Sequence, residues 1–169
     1  MVQELLDLRA SILAGRYEEA LTLIDELEAM GKQAIIRNIE SFLIRLMIHL
    51  IKNQIEQRLT NSWANSISDS IVQIKKLNLK DNKTSYYINS DEWQSYLEAA
   101  IKLAIRPASL EIFNGQLKAK QISEQLDLSQ LITTAKTMLD LTYKYAAEDL
   151  PDQIDVILAE LPGGEDWLT

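Results

Sequence analysis

The sequence contains no cysteine and only one histidine among its 169 residues. The missing cysteines exclude disulfides, thiolate metal sites and cysteine nucleophiles, and they suit a reducing compartment. Any histidine-based metal site or catalytic triad would have to be built around His49 alone. The chain therefore offers little of the chemistry from which metal sites and nucleophilic centres are usually made.

Glycine and proline are scarce too, with five and three residues. None of the glycines belongs to a phosphate-binding loop, a Gly-x-Ser-x-Gly elbow or a calcium loop, and each stands where a predicted helix ends. They are Gly15, Gly31, Gly115, Gly163 and Gly164. The sequence therefore predicts no cofactor and no metal, and it favours a protein that is not an enzyme.

Long hydrophobic runs are absent as well. Charged residues make up 25% of the chain, and they interrupt the apolar residues before any window reaches the roughly 20 apolar residues of a membrane span. The first fourteen residues carry Glu4, Asp7 and Arg9, unlike a signal peptide. We therefore expect a cytoplasmic protein that does not enter a membrane.

Positive charge is in deficit, with a formal net charge of -8. This balance opposes binding to nucleic acid over the whole surface. A group of lysines lies among aromatic side chains between residues 63 and 87, which contain Trp63, Lys75, Lys76, Lys80, Lys83, Tyr86 and Tyr87. A nucleic-acid-linked regulator, similar to an antitoxin, is therefore the alternative hypothesis.

Apolar residues recur at helical spacings of three, four and seven from Lys32 to Leu59, a stretch without glycine or proline. They cover more than half of the helix circumference, which predicts a long central helix at about 32–59, wrapped by other helices. The narrow remaining stripe is polar. Four of its members form a candidate polar stripe: Arg45, His49, Lys52 and Glu56.

Amphipathic segments fill most of the remaining chain. Residues 2–14 and 17–30 predict a helical hairpin that turns at Gly15, with Gly31 as the C-cap of its second helix. Further helices are expected after the exposed loop at 78–90, and no stretch alternates as a strand would. The sequence thus predicts an all-α fold, a bundle of six to eight helices in a single domain over 1–169.

Each candidate site has two interpretations. The polar stripe around His49 is either a small polar site or a set of hydrogen-bonded residues at a helix-packing seam. Tyr86 and Tyr87 either anchor their loop to the bundle or form a partner-binding hot spot. Trp167, in the acidic C-terminal segment, docks either on its own chain or on another one.

The chain resembles a known family in its first eighty residues. The matching segments occur in order as Gly15–Glu19, Ile24–Glu28, Ile39–Ser41, Arg45–Lys52 and Ser62–Trp63. They resemble the domain of unknown function family twenty-nine, in its cyanobacterial form. The resemblance implies an α-helical bundle and no activity that can be transferred. Our leading hypothesis is a non-enzymatic module that binds another protein or forms a homo-oligomer.

Overall fold

The computed structural model describes residues 2–169, and within that range the chain is helical with no strand. Two short 3₁₀ helices, Ile112–Gly115 and Ala147–Asp149, accompany seven α-helices. The α-helices are α1 Val2–Leu13, α2 Tyr17–Glu56, α3 Asn61–Asn78, α4 Trp93–Ser109, α5 Ala119–Gln125, α6 Leu128–Leu141 and α7 Leu150–Leu158. The all-α prediction with six to eight helices is confirmed. Among the described helices, none is long and apolar enough to cross a membrane.

The chain divides into two compact units. The first runs up to Arg37, and the second is Asn38–Thr169. Helix α2 contributes to both, because its residues 17–37 belong to the first unit and 38–56 to the second. A single domain over 1–169 stays a prediction, which a single cooperative unfolding transition would support.

The predicted break at Gly31 is wrong. Helix α2 continues from Tyr17 to Glu56, so the long central helix is present but starts fifteen residues earlier than residue 32. Gly31 lacks the left-handed φ of a C-cap glycine and lies inside the helix. A glycine inside a helix costs only about 1 kcal/mol relative to alanine. That cost is too small to end a helix whose apolar residues keep their spacing on both sides.

The C-terminal half of α2 forms part of the core of the second unit. Six large side chains there are at most 2% exposed: Ile39, Leu43, Leu46, Met47, Leu50 and Ile51. Complete burial of one such side chain stabilises a fold by roughly 1.5–3 kcal/mol. The expected burial of this segment is therefore observed.

Particular backbone conformations end α1 and α2. Gly15 is left-handed (φ 75°), and the N–H of Arg16 donates to the carbonyl of Ser11 at 2.8 Å, which is the Schellman arrangement. Gln57 is left-handed too (φ 53°), so α2 stops at Glu56 and not at Leu59. A side-chain cap follows at once, since Thr60 Oγ1 accepts the N–H of Trp63 at 3.1 Å.

Two glycines near the C-terminus allow a close backbone approach. A Cβ on Gly163 would lie 2.6 Å from the Cα of Arg58, and one on Gly164 would lie 2.0 Å from the carbonyl oxygen of Leu158. Asn53 completes this junction, because its Nδ2 donates to the carbonyls of Arg58 at 3.0 Å and Pro162 at 2.8 Å. The C-terminal segment thus packs against the end of α2.

Alanine substitutions at Gly164 and Gly31 should have opposite effects. Gly164→Ala places a methyl group against backbone and should lower the free energy of unfolding by about 1–3 kcal/mol. Gly31→Ala meets nothing within 4 Å and should raise it by about 1 kcal/mol. Urea unfolding followed by circular dichroism measures both. Equal stability of the two variants would contradict this packing.

Candidate functional site

The first member of the polar stripe, Arg45, is used in an ion pair. Its Nη1 donates to Asp69 Oδ2 at 2.7 Å, and both side chains are about one-third to two-fifths exposed. This hydrogen bond from the guanidinium is the main reason that the pKa of Asp69 lies below its ordinary value. The pair links α2 to α3.

His49 is hydrogen-bonded to its own helix. Its Nδ1 lies 2.8 Å from the carbonyl oxygen of Arg45, and because a carbonyl can only accept, Nδ1 carries the proton and donates. Burial lowers the pKa of the imidazole below its usual value, with a smaller contribution from the Lys52 ammonium. His49 is therefore neutral at pH 7.

Lys52 has the most unusual environment of the stripe. It is 5% exposed, and its Nζ donates to Glu111 Oε2 at 2.7 Å. The same ammonium lies 4.6 Å from the centre of the Trp63 ring, and the Arg58 guanidinium also lies 4.6 Å from that centre. Trp63 is itself buried. Two cations thus contact one buried indole, which is a stabilising cation–π arrangement.

This cluster could not be found from the sequence because its members are far apart in the chain. Glu111 follows Lys52 by 59 residues, and nothing in the local pattern connects them. The arginine that flanks Trp63 also pairs with the last member of the stripe, since Arg58 Nε donates to Glu56 Oε1 at 3.1 Å. The one signal in the sequence was a lysine on a helix expected to be enclosed by others. A charge that loses its hydration there needs a partner, but the sequence does not say which residue provides it.

The four residues of the polar stripe therefore have different partners and do not meet at one site. Glu56 lies two turns, about 10 Å, beyond His49 along α2, and it pairs with Arg58 while Arg45 pairs with Asp69. Within residues 2–169, no group of three or more His, Asp or Glu side chains is placed to hold a metal ion. The geometry resembles a packing seam more than a reactive site.

Tyr86 and Tyr87 lie on the loop between α3 and α4, and contacts on the same chain hold both rings. The Tyr86 ring meets Tyr143 edge-to-face at 4.7 Å between centroids, and Lys75 Nζ lies 5.6 Å from the Tyr86 centroid. Lys80 lies over Tyr87 at 5.4 Å. Each ring is half-buried. These contacts favour the loop anchor over the hot spot.

A buried hydrogen-bond network lies beneath the same loop. The Asn78 side chain donates to the carbonyl of Ile88 and accepts its N–H, both at 2.8 Å. Tyr143 Oη donates to the Ile88 carbonyl at 2.7 Å and accepts Trp93 Nε1–H at 2.8 Å. Burial raises the pKa of Tyr143 to about 12. The network fixes the loop to α3, α4 and the segment after α6.

Trp167 docks on its own chain in this structure. Its Nε1 donates to Asp155 Oδ1 of α7 at 2.9 Å, and the side chain is half-buried. The C-terminal segment is thus held by a hydrogen bond as well as by the close glycine contacts.

The largest concentration of exposed apolar side chains lies elsewhere, in the α1–α2 hairpin. The described residues leave fifteen large hydrophobic side chains exposed, and eight of them precede residue 31. The eight are Val2, Leu5, Leu6, Ile12, Leu13, Tyr17, Leu21 and Met30. We call them the hairpin surface. Their helical spacing predicts burial for most of them, but a two-helix hairpin cannot cover apolar stripes of this width by itself.

The fold is that of an all-helical protein whose candidate polar residues are engaged in packing contacts. The chain belongs to the family described as domain of unknown function DUF29, whose model matches residues 18–120. The family resemblance noted from the sequence is therefore confirmed, whereas its cyanobacterial form stays a prediction. The match includes nearly all of α2, and α1 precedes it. Comparison with curated proteins and with solved structures gave no significant match.

The lowered pKa of His49 predicts a pH-dependent stability. Because the pKa of His49 is lower in the folded chain, the unfolded chain binds more protons at this residue as the pH falls. The free energy of unfolding should therefore decrease as the pH decreases from 7.5 to 5.5. The slope is at most about 1.4 kcal/mol per pH unit. His49→Asn, which removes the only histidine, should flatten it. Denaturant unfolding across this range measures the slope, and equal slopes would contradict the assignment.

Removal of the Tyr143 hydroxyl should destabilise the fold. In Tyr143→Phe the indole N–H of Trp93 loses its partner, and Trp93 is 1% exposed, so we expect a loss of about 1–3 kcal/mol. Tyr145→Phe is the matched control, because Tyr145 is partly exposed and its hydroxyl has no hydrogen bond among the described residues. Thermal unfolding of both variants tests this. A loss at Tyr145 as large as at Tyr143 would contradict the network.

Proposed function

We propose that this protein is a non-enzymatic, cytoplasmic helical module that binds another protein or a copy of itself. The observation that carries the proposal is the hairpin surface, where eight of the fifteen exposed large hydrophobic side chains lie before residue 31. Unusually large exposed apolar patches mark interaction sites. The absence of cysteine suits a reducing compartment.

The state of the polar stripe supports the non-enzymatic part of the proposal. A catalytic base or nucleophile needs a side chain that is free to meet a substrate. Arg45 and Lys52 are occupied by ion pairs to Asp69 and Glu111, and the Nδ1–H of His49 is used by a backbone carbonyl. These residues stabilise helix packing in our interpretation.

The alternative of a nucleic-acid-linked regulator has less support. Lys75 donates to the carbonyl of Thr142 at 2.5 Å and lies over Tyr86, and Lys80 lies over Tyr87. Two of the four lysines in this region are thus engaged within the chain, and the net charge of -8 opposes a polyanion. A shift of labelled DNA or RNA at low salt would favour this alternative over our proposal.

The test compares the full chain with a variant of the hairpin surface. Leu21→Glu places a charge on a side chain that is 61% exposed, so the fold should be unaffected. We expect the wild-type chain to self-associate in light scattering or to capture a defined protein from its source cells, and Leu21→Glu to do neither. A wild-type chain that is monomeric, and that captures the same proteins as Leu21→Glu, would contradict the proposal.

A further inference from the structure

We propose that the exposed side of α4, together with the turn that follows it, docks on an anionic lipid surface. The residues that make this contact are Lys102, Leu103, Arg106, Leu110 and Phe113, which we call the α4 face. They belong to the second unit, so the contact is separate from the hairpin surface. The inference goes beyond the proposed function, because its ligand is a lipid and not a protein. Docking on a lipid surface requires no helix that crosses a membrane.

The first four residues of the α4 face lie on one side of the helix. At 100° per residue, Leu103 and Leu110 project within about 20° of each other and lie about 10 Å apart along the axis. Arg106 lies between them along the axis, and Lys102 projects within about 100° of both. The opposite side of α4, which includes Ala108, is buried. The four side chains can therefore reach the same flat surface outside the bundle.

Three apolar side chains protrude from this region into solvent. Leu103, Leu110 and Phe113 are 62%, 74% and 43% exposed. The turn that carries Phe113 folds back against the end of α4, because a Cβ on Gly115 would lie 3.2 Å from the carbonyl oxygen of Leu110. Phe113 is thus held near Leu110, and the apolar part of the α4 face is continuous with the turn.

The backbone of this turn is strained. Phe113 (φ 47°) and Asn114 (φ 58°) are both left-handed, a conformation that is rare for a bulky side chain. Such strain persists only where the surrounding structure fixes it. Ile112, at 0% exposed, and the 2.7 Å ion pair between Glu111 and Lys52 fix the turn from the core side. The fold therefore holds Phe113 outward in a defined position.

Positive charge is concentrated around the same side chains. Residues 99–120 contain one carboxylate, Glu111, which is already paired with Lys52, and four cations: Lys102, Arg106, Lys118 and Lys120. The side chains of Lys102, Arg106 and Lys120 make no hydrogen bond or ion pair within residues 2–169. Of the 17 basic and 25 acidic residues, 13 and 24 lie outside this range. The α4 face is thus a basic region on an acidic protein, and salt screens it from carboxylates farther away than about 8 Å.

Helix α5 adds a cation beside the α4 face. Ser123 of α5 lines the same groove as Lys102 and Ile105 of α4, so the two helices run side by side. Lys120 projects within about 60° of Ser123 on α5. It therefore lies on the side of α5 that borders this groove, next to the α4 face.

An anionic lipid surface matches both properties of the α4 face. Leucine and phenylalanine side chains insert among acyl chains, while the long stems of lysine and arginine let their charges reach the headgroups. Nucleic acid would use the cations but would leave the exposed leucines without a partner. A folded protein would need a complementary shape, whereas a fluid acyl layer accepts protruding side chains.

Flotation of the full chain with lipid vesicles tests the proposal. We expect binding to phosphatidylcholine vesicles that contain about one third phosphatidylglycerol, and at least about tenfold weaker binding to pure phosphatidylcholine. Added salt should weaken the binding by screening. Equal binding to the two kinds of vesicle, or binding to neither, would overturn the proposal.

Two matched double variants locate the contact. Lys102→Glu with Arg106→Glu should weaken binding to the anionic vesicles at least about tenfold, because each cation contributes roughly fivefold. Lys32→Glu with Lys144→Glu changes the net charge equally but spares the α4 face, so it should bind within about threefold of the wild type. All four side chains are exposed, and circular dichroism should show unchanged helicity. An equal loss in both double variants would make binding a matter of net charge and overturn the site.

A third pair of variants tests insertion of the apolar side chains. Leu110→Ser should weaken vesicle binding at least about fivefold. Val156→Ser on α7, where the side chain is 50% exposed, is the control and should bind as the wild type does. Wild-type binding by Leu110→Ser would overturn the insertion. A chain that does not float, but whose binding to labelled DNA or to itself is lost in the Lys102 and Arg106 variant, would assign the α4 face to that partner and overturn the lipid.

Discussion

The enclosure of α2 from Ile39 to Ile51 is the constraint on which the second unit depends. The buried side chains of this segment lie within roughly 140° of its circumference at 100° per residue, and the others are half-buried except Glu40 and Ser41. Other helices must therefore cover a wide face of it. The same demand explains the close packing at its end, where Gly163 lets the C-terminal backbone approach Arg58 and Leu59. One apolar helix thus dictates where much of the second unit lies.

The polar stripe on this buried segment follows from the same constraint. Charges drawn into a packing seam lose hydration, and they are tolerated only when each gains a partner. Arg45 finds Asp69 on α3, and Lys52 finds Glu111 together with the Trp63 ring. Two members of the candidate polar stripe are thus engaged in contacts with other parts of the chain in this structure. A functional site is better sought among exposed apolar side chains, such as those of the hairpin surface.

The periodicity of apolar residues predicted the all-α fold and the buried half of α2, because core burial imposes a strict helical spacing. It failed at Gly31, since the same residue type ends one helix at Gly15 and lies inside another. Only the backbone φ distinguishes the two cases. It also failed on the hairpin, because an apolar stripe such as that of Leu5 and Ile12 has the same spacing whether its partner is in the chain or in another molecule. Long-range pairs such as Lys52 with Glu111 leave no local signal.

The two halves of α2 are one continuous helix in very different surroundings. Residues 39–51 are packed in a core, whereas residues 17–30 carry exposed side chains such as Tyr17 and Leu21. Local stability follows burial, so the halves should open with different free energies.

Amide hydrogen exchange along α2, measured in the Leu21→Glu variant to exclude association, tests this account most directly. We expect the amides of residues 43–51 to exchange only through global unfolding and those of residues 20–30 at least about a hundredfold faster. Uniform protection from residue 20 to residue 51, or fastest exchange around Leu46, would contradict the central claim.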